Sequence, residues 1–195
     1  MGVTADELKR RLVHASGVVL PAGYLLTVIT WEQLRLLFVI GAIVAIGLEM
    51  LRLFVGLEWA IYQELTREYE RDNLAGYAIY FVSSAAVVLA FPPRIALPAV
   101  LMLMIADPVS GLLGSNELKD VKRPFVIGTT FLVSALIAIW FVPPIPATMG
   151  ALTATAADGA KPVIAGYVID DNLTIPIGAA VAIWIGLQFA PALPL

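Results

Sequence analysis

The chain has 195 residues, 60% of them hydrophobic and only 14% charged, with a mean hydropathy of +0.90; this balance excludes a soluble domain of that size and is the composition of an integral membrane protein. The net charge of −3 is small, and nucleic acid is not expected as a partner. With no cysteine and one histidine, His14, the chain excludes disulfides, iron–sulfur clusters, thiolate zinc sites, cysteine nucleophiles and multi-histidine metal sites.

A single domain over 1–195 is expected. Residues 1–12 read as a short amphipathic helix, with Thr4 as N-cap, Glu7 completing a capping box, and Lys9-Arg10-Arg11 near its end. The first apolar run begins at His14 and continues to about Thr30, kinked by Pro21 and Gly23, so it reads as a retained helix rather than a cleaved leader. A second run, about Leu34 to Leu57, exceeds the roughly 20 residues a bilayer crossing needs. It carries Glu49 and Arg52 near its end. The charged, aromatic stretch 58–73 suits a membrane interface.

The third run is Leu74 to Phe91, closed by Pro92-Pro93, and the fourth is Ile95 to Gly114. A polar loop, 115–123, leads to a fifth run, Phe125 to Val142, closed by Pro143-Pro144 and Pro146. A sixth, about Ala147 to Ala165, is rich in Ala, Thr and Gly and contains Asp158 and Lys161; it either spans or re-enters. The last, Ile177 to Ala190, follows Asp170-Asp171-Asn172-Leu173-Thr174-Ile175-Pro176. The expected fold is therefore all-α and polytopic, with about seven transmembrane helices, or six plus a re-entrant segment. With the N-terminus cytoplasmic, the inner regions hold Lys9, Arg10, Arg11, Arg67, Arg71, Lys119, Lys122, Arg123 and Lys161, and the outer loops only Arg35 and Arg94, as the positive-inside rule requires. This topology puts His14, the 58–73 stretch, the 115–123 loop and Asp170-Asp171 on one cytoplasmic face.

The chemistry centres on Ala106-Asp107-Pro108, at the end of the fourth run. A carboxylate there must be paired, hydrated or bound to a cation. Asp107, Gly111 and Gly114 fall at i, i+4 and i+7, one helical face bearing an acid and bare backbone. Lys119, Lys122, Arg123 and then Gly128-Thr129-Thr130 follow. Carboxylate, bare backbone and cations together suit a metal-bound polyphosphate, and Gly128-Thr129 near a helix start can offer N–H groups and hydroxyls to an anion. Asp107 serves as a Mg²⁺ ligand or orients an incoming hydroxyl; the plainer alternative is a cap on a broken helix. The three cations are otherwise ordinary positive-inside residues. Asp170, Asp171 and Asn172 suit a hard cation, or a helix N-cap supplied by Asp171 or Asn172 with Pro176 in the first turn. Glu49 and Arg52, at i and i+3, read as a structural pair. His14 with Arg10 and Arg11 reads as an anion or proton-transfer site or as an interfacial histidine, and Tyr77 and Tyr80 as part of an aromatic belt. No GxxxxGK[ST] or GxGxxG stretch is present, so P-loop and dinucleotide chemistry are not supported.

Arg10-Arg11-Leu12-Val13-His14, Glu49-x-x-Arg52, Ala106-Asp107-Pro108 with Gly111 and Gly114, Gly128-Thr129, and the run from Asp170 to Pro176 resemble the polyprenol kinase family, which includes dolichol and phytol kinases; the short length is similar to an archaeal-type member. The resemblance implies a kinase of the cell membrane, its active site facing the cytoplasm, that moves the γ-phosphoryl of CTP to the terminal hydroxyl of a long isoprenoid alcohol, with Mg²⁺ or another divalent cation, and so supplies a lipid carrier for glycosylation. It implies that Asp107, Gly111, Gly114, Lys119, Lys122, Arg123, Gly128 and Thr129 line the nucleotide site and that Asp107, Asp170 and Asp171, with Asn172, bind metal or act in catalysis. His14, Glu49 and Arg52 would support them. The sequence departs from the family where a glutamate often precedes the Gly-Thr, here Ile127, and where one often stands in the sixth segment, here with Asp158 the nearest acid. The alternatives are a lipid cytidylyltransferase such as a CDP-archaeol synthase, and a small ion-coupled transporter with Asp107, Asp158 and Asp170-Asp171 along its path.

Overall fold

The structure, a computed structural model, describes residues 5–56, 73–114, 122–159, 163–164 and 167–189. It is built of helices, with one minimal antiparallel pair, β1 (Val163–Ile164) and β2 (Tyr167–Val168), in the register Val163 to Val168. Among the described residues, three helical stretches are long and apolar enough to cross a membrane: Trp31–Val55, Pro93–Leu113 and Asp171–Phe189.

The first segment is two helices, α1 (Ala5–Ser16) and α2 (Val19–Leu25). The chain bends at Gly17-Val18, ahead of Pro21, so His14 sits in the last turn of α1 instead of opening a span. The Thr4 cap lies outside the described residues. A capping box does form, two helices later. Thr30 Oγ1 accepts from the Gln33 N–H and the Gln33 side chain accepts from the Thr30 N–H at the start of α3 (Trp31–Met50). α3 continues through a π-turn, Leu51–Val55, to Gly56.

α4 (Gly76–Ala90) stops at Phe91-Pro92, because the residue before a proline is pushed out of the helical region. Next comes the central rod: α5 (Pro93–Leu101), a π-segment (Met102–Ala106) and α6 (Asp107–Leu113). Its most apolar window is 78% buried, against 28% for α3 and 44% for the last helix, so the other helices are arranged around it. α7 (Pro124–Ala138) turns Val126, Thr130, Ser134 and Ala138 inward, a face at four-residue spacing. α8 (Pro144–Gly159) begins on prolines, which cost nothing where N–H groups have no helical partner. α9 (Asp171–Phe189) packs along α8 and also touches α4 and α5. The α8–α9 approach is close because both helices present small residues. A Cβ on Gly186 would lie 2.7 Å from Pro146 Cα. Outside this core, Leu36, Ile40, Ile43, Val44 and Ile46 of α3 are exposed, as a lipid-facing helix requires.

Candidate functional site

The site begins with a defect in the central rod. The Asp107 N–H reaches back five residues to Met102 O, and Pro108 has no N–H to give. The Leu103 carbonyl is thereby left without a partner in its own helix. His14 supplies one, its Nε2 lying 3.0 Å from Leu103 O. A carbonyl can only accept, so His14 carries its proton on Nε2. The same Nε2 is 3.7 Å from Asp107 Oδ2. The proline next to the acid thus docks α1 onto the rod beside it.

Asp107 meets two further carboxylates. Oxygens of Asp107, Asp158 and Asp171, from α6, α8 and α9, lie within 4.8 Å of one another. Asp158 and Asp171 are buried. Asp158 is held on three sides: Ser110 Oγ donates to its Oδ2 at 2.5 Å, Lys122 Nζ donates to its Oδ1 at 2.5 Å, and Thr130 Oγ1 lies 3.2 Å from Oδ2. Lys122 Nζ also donates to Ser110 Oγ at 2.9 Å, and its backbone N–H closes the end of α8 on Gly159 O at 3.1 Å. Three carboxylates this close repel one another unless protons or a cation intervene. In octahedral coordination at about 2.1 Å, opposite ligand oxygens are about 4.2 Å apart, so a small closure of these side chains lets one hard cation touch all three. An all-oxygen donor set fits Mg²⁺ and not a soft metal.

Asp170 is not in this set. Its Oδ1 accepts from the Asn172 N–H at 2.8 Å and from Asn172 Nδ2 at 2.6 Å, making Asp170 the N-cap of α9 in place of Asp171 or Asn172. Of the expected cation ligands Asp107, Asp170 and Asp171, the structure brings Asp107 and Asp171 together and groups them with Asp158, while Asp170 caps α9. Pro176 lies inside α9 and not in its first turn. Asn172 is buried, and its amide nitrogen is fixed toward the Asp170 carboxylate. Its Oδ1 has no hydrogen-bond partner among the described residues.

On another side of Asp107 is a cavity of about 190 Å³. Arg10, Arg11 and His14 of α1, Tyr77 and Tyr80 of α4, and Asn172 line it together with Asp107. The Arg11 guanidinium lies over Gly111, where a Cβ would be 1.2 Å from Nη1; the expected bare backbone at Gly111 is thus occupied by an arginine of α1. Tyr80 is buried, edge-on to the His14 ring at 4.7 Å, and its hydroxyl donates to His14 O at 3.3 Å. Tyr77 donates to Glu49 Oε1 at 2.5 Å. These two tyrosines serve the interior and not an aromatic belt, because their hydroxyls have internal partners.

Glu49 and Arg52 pair at 2.7 Å. Glu49 also accepts from the Ala75 N–H at 2.9 Å, and Arg52 Nη2 donates to Asn73 O at 2.5 Å. The pair ties α3 to the start of α4 and reaches the cavity through Tyr77. Other expected residues fall elsewhere. Gly114 follows the end of α6 and leaves its helical face. Arg123 is exposed at the start of α7. Gly128 and Thr129 are the fifth and sixth residues of α7, beyond the four whose N–H groups a helix leaves unsatisfied. A Cβ on Gly128 would meet open space, and Thr129 Oγ1 turns back to Phe125 O. The neighbour that faces the acids is Thr130. Lys119 lies outside the described residues.

Fold and site together define a helical protein with long apolar helices that fit a membrane, enclosing a buried carboxylate–lysine cluster beside a cationic, aromatic cavity. No protein-family model, no curated protein and no solved structure matches the chain.

Proposed function

We propose that the protein is a membrane-embedded kinase that transfers the γ-phosphoryl of CTP to the terminal hydroxyl of a long isoprenoid alcohol. The observation that carries this reading is the convergence of Asp107, Asp158 and Asp171 from three helices on one point, with Lys122 bonded to Asp158. Charge neutralisation and positioning are the main demands of phosphoryl transfer, and these side chains supply them. The choice of CTP and of an isoprenoid alcohol comes from the sequence resemblance. We take the chain to cross the membrane about seven times with the N-terminus inside, which puts this cluster at the cytoplasmic boundary. There a lipid hydroxyl and a soluble nucleotide can meet.

In the proposed reaction, Asp107, Asp158 and Asp171 would hold Mg²⁺, which would supply charge neutralisation for the polyphosphate. Lys122 passes from Asp158 to the γ-phosphate oxygens. The alcohol oxygen forms a bond to the γ-phosphorus while the bond to the bridging oxygen breaks, leaving CDP. Asp107, adjacent to the cavity, accepts the hydroxyl proton. An ion path would string its acids through the membrane; here they gather at one point, which favours a site over a pathway.

The deciding experiment uses purified protein, CTP or ATP labelled in the γ-phosphate, and a panel of isoprenoid alcohols with and without Mg²⁺. The expected products are a phosphorylated alcohol and CDP. Pyrophosphate and a CDP-lipid from a phosphorylated lipid would make the protein a cytidylyltransferase instead. No turnover with any alcohol would end the kinase reading.

A further inference from the structure

Asp107 is the carboxylate common to two different surroundings. The cation cluster contains Asp158, Asp171 and Lys122, and the cavity contains none of these three. We infer that the cavity between α1 and α4 receives the hydroxyl-bearing end of the lipid alcohol, and that the nucleotide phosphates belong to the cluster on the α7–α8 side. This rests on the kinase reading and assigns its two substrates to separate compartments.

Size is the first argument. At about 190 Å³, the cavity is smaller than the roughly 300 Å³ at which pockets begin to enclose drug-sized ligands. That volume is small for a whole nucleoside triphosphate. It suits one end of a molecule whose remainder lies elsewhere, as a lipid's tail does in the bilayer.

Lining is the second. Val13, Tyr77, Tyr80 and Phe81 give it apolar walls. Val13 is 56% exposed, so the cavity reaches the outside of the molecule across an apolar side chain, where a hydrocarbon chain can leave.

The third is a buried acceptor. Asn172 lines the cavity, is 6% exposed, and has no partner for Oδ1 among the described residues. The carboxylate of Asp170 fixes the amide so that nitrogen and oxygen cannot exchange places. An unsatisfied buried acceptor is costly, and a hydroxyl is a donor that satisfies it. A phosphate ester carries no such donor when ionised. Arg10 and Arg11, in the same lining, match the anionic end that the alcohol acquires once phosphorylated.

The test uses the full chain in lipid nanodiscs and an isoprenoid alcohol carrying a diazirine near its hydroxyl. Without nucleotide, photolabel is expected on α1 and α4, reduced by unlabelled alcohol and not by CTP. Val13→Trp, at an exposed position, is expected to raise the KM for alcohol tenfold or more and to leave the KM for CTP within twofold. Label on α7 or α8, competition by CTP, equal labelling by a hydrocarbon lacking the hydroxyl, or a shift confined to the CTP KM would overturn the assignment. If no nucleotide phosphorylates any alcohol, the kinase reading fails by itself. The photolabel then still decides the cavity: hydroxyl-dependent label on α1 and α4 upholds alcohol binding there, and its absence overturns it.

Discussion

Lys122 Nζ lies 2.5 Å from Asp158 Oδ1, across a sequence separation of 36 residues. The cation that the sequence assigns to phosphate is thus held by an acid from another helix, with Ser110 bridging the two. Removing one member of a buried ion pair leaves the other uncompensated, at a cost of about 3–5 kcal/mol. Lys122 is 23% exposed, so Lys122→Met should fall at the lower end of that range. The double variant Lys122→Met/Asp158→Asn should recover most of the stability and none of the phosphoryl transfer. Thermal unfolding in detergent, read alongside turnover, checks both.

A cation held by three carboxylates should stabilise the folded chain by mass action, about 2.7 kcal/mol at a hundred times its Kd. Mg²⁺ is therefore expected to raise the Tm of the wild type. Asp107→Asn, Asp158→Asn and Asp171→Asn should each shrink that rise. Asp170→Asn should keep it, since asparagine caps a helix as well as aspartate. An equal loss at Asp170 would place the cation elsewhere.

Gly111→Ala puts a methyl where the Arg11 guanidinium lies. The obstructing atoms are the far end of a flexible side chain, so the protein should fold. Arg11 must swing away, and displacement of a positioning group by about 1 Å can cost roughly 10²-fold in rate. Turnover should drop by that order while Tm changes little; a variant with full turnover would remove Arg11 from the site.

His14→Ala leaves the buried Leu103 carbonyl without its donor, a loss of about 1–3 kcal/mol. His14→Gln, which keeps an N–H donor on a chain of similar reach, should restore part of it. Tm measurements on the pair decide whether the bond, and not the ring's bulk, docks α1.

The native sequence has no cysteine, so single cysteines report topology directly. Arg123→Cys should react with an impermeant maleimide only from the cytoplasmic side, and Val28→Cys, in an exposed turn, only from outside. Labelling of both from one side would require a different number of crossings.

The apolar runs, their proline boundaries and the place of Asp107 at the break in the fourth run were legible in the sequence, because each rests on local chemistry. Which acids meet was not. Asp170 and Asp171 are adjacent, and their roles are divided by where α9 starts, a matter of one residue that Asn172 settles by folding back on Asp170. Asp158 stands in a helix of small residues with no strong polar stripe to mark its inward face. On α7 the run Gly128-Thr129-Thr130 makes Gly128 and Thr129 conspicuous in the sequence. The inward face is instead written at four-residue spacing, Val126, Thr130, Ser134 and Ala138, a pattern of size more than of polarity. Ser110, three residues after Asp107, shares its side of α6 and is legible by that spacing.

The bond between His14 and Leu103 spans 89 residues of sequence, as does that between Ser83 Oγ and Asn172 O. A ribosome therefore releases α1 long before its anchorage exists, and Asp107 before Asp171 has been made. Residue 171 must be made before these carboxylates can meet. Until then the half-made chain carries acids that the translocation machinery must keep wet, and nascent chains arrested before residue 171 should be inert toward both substrates.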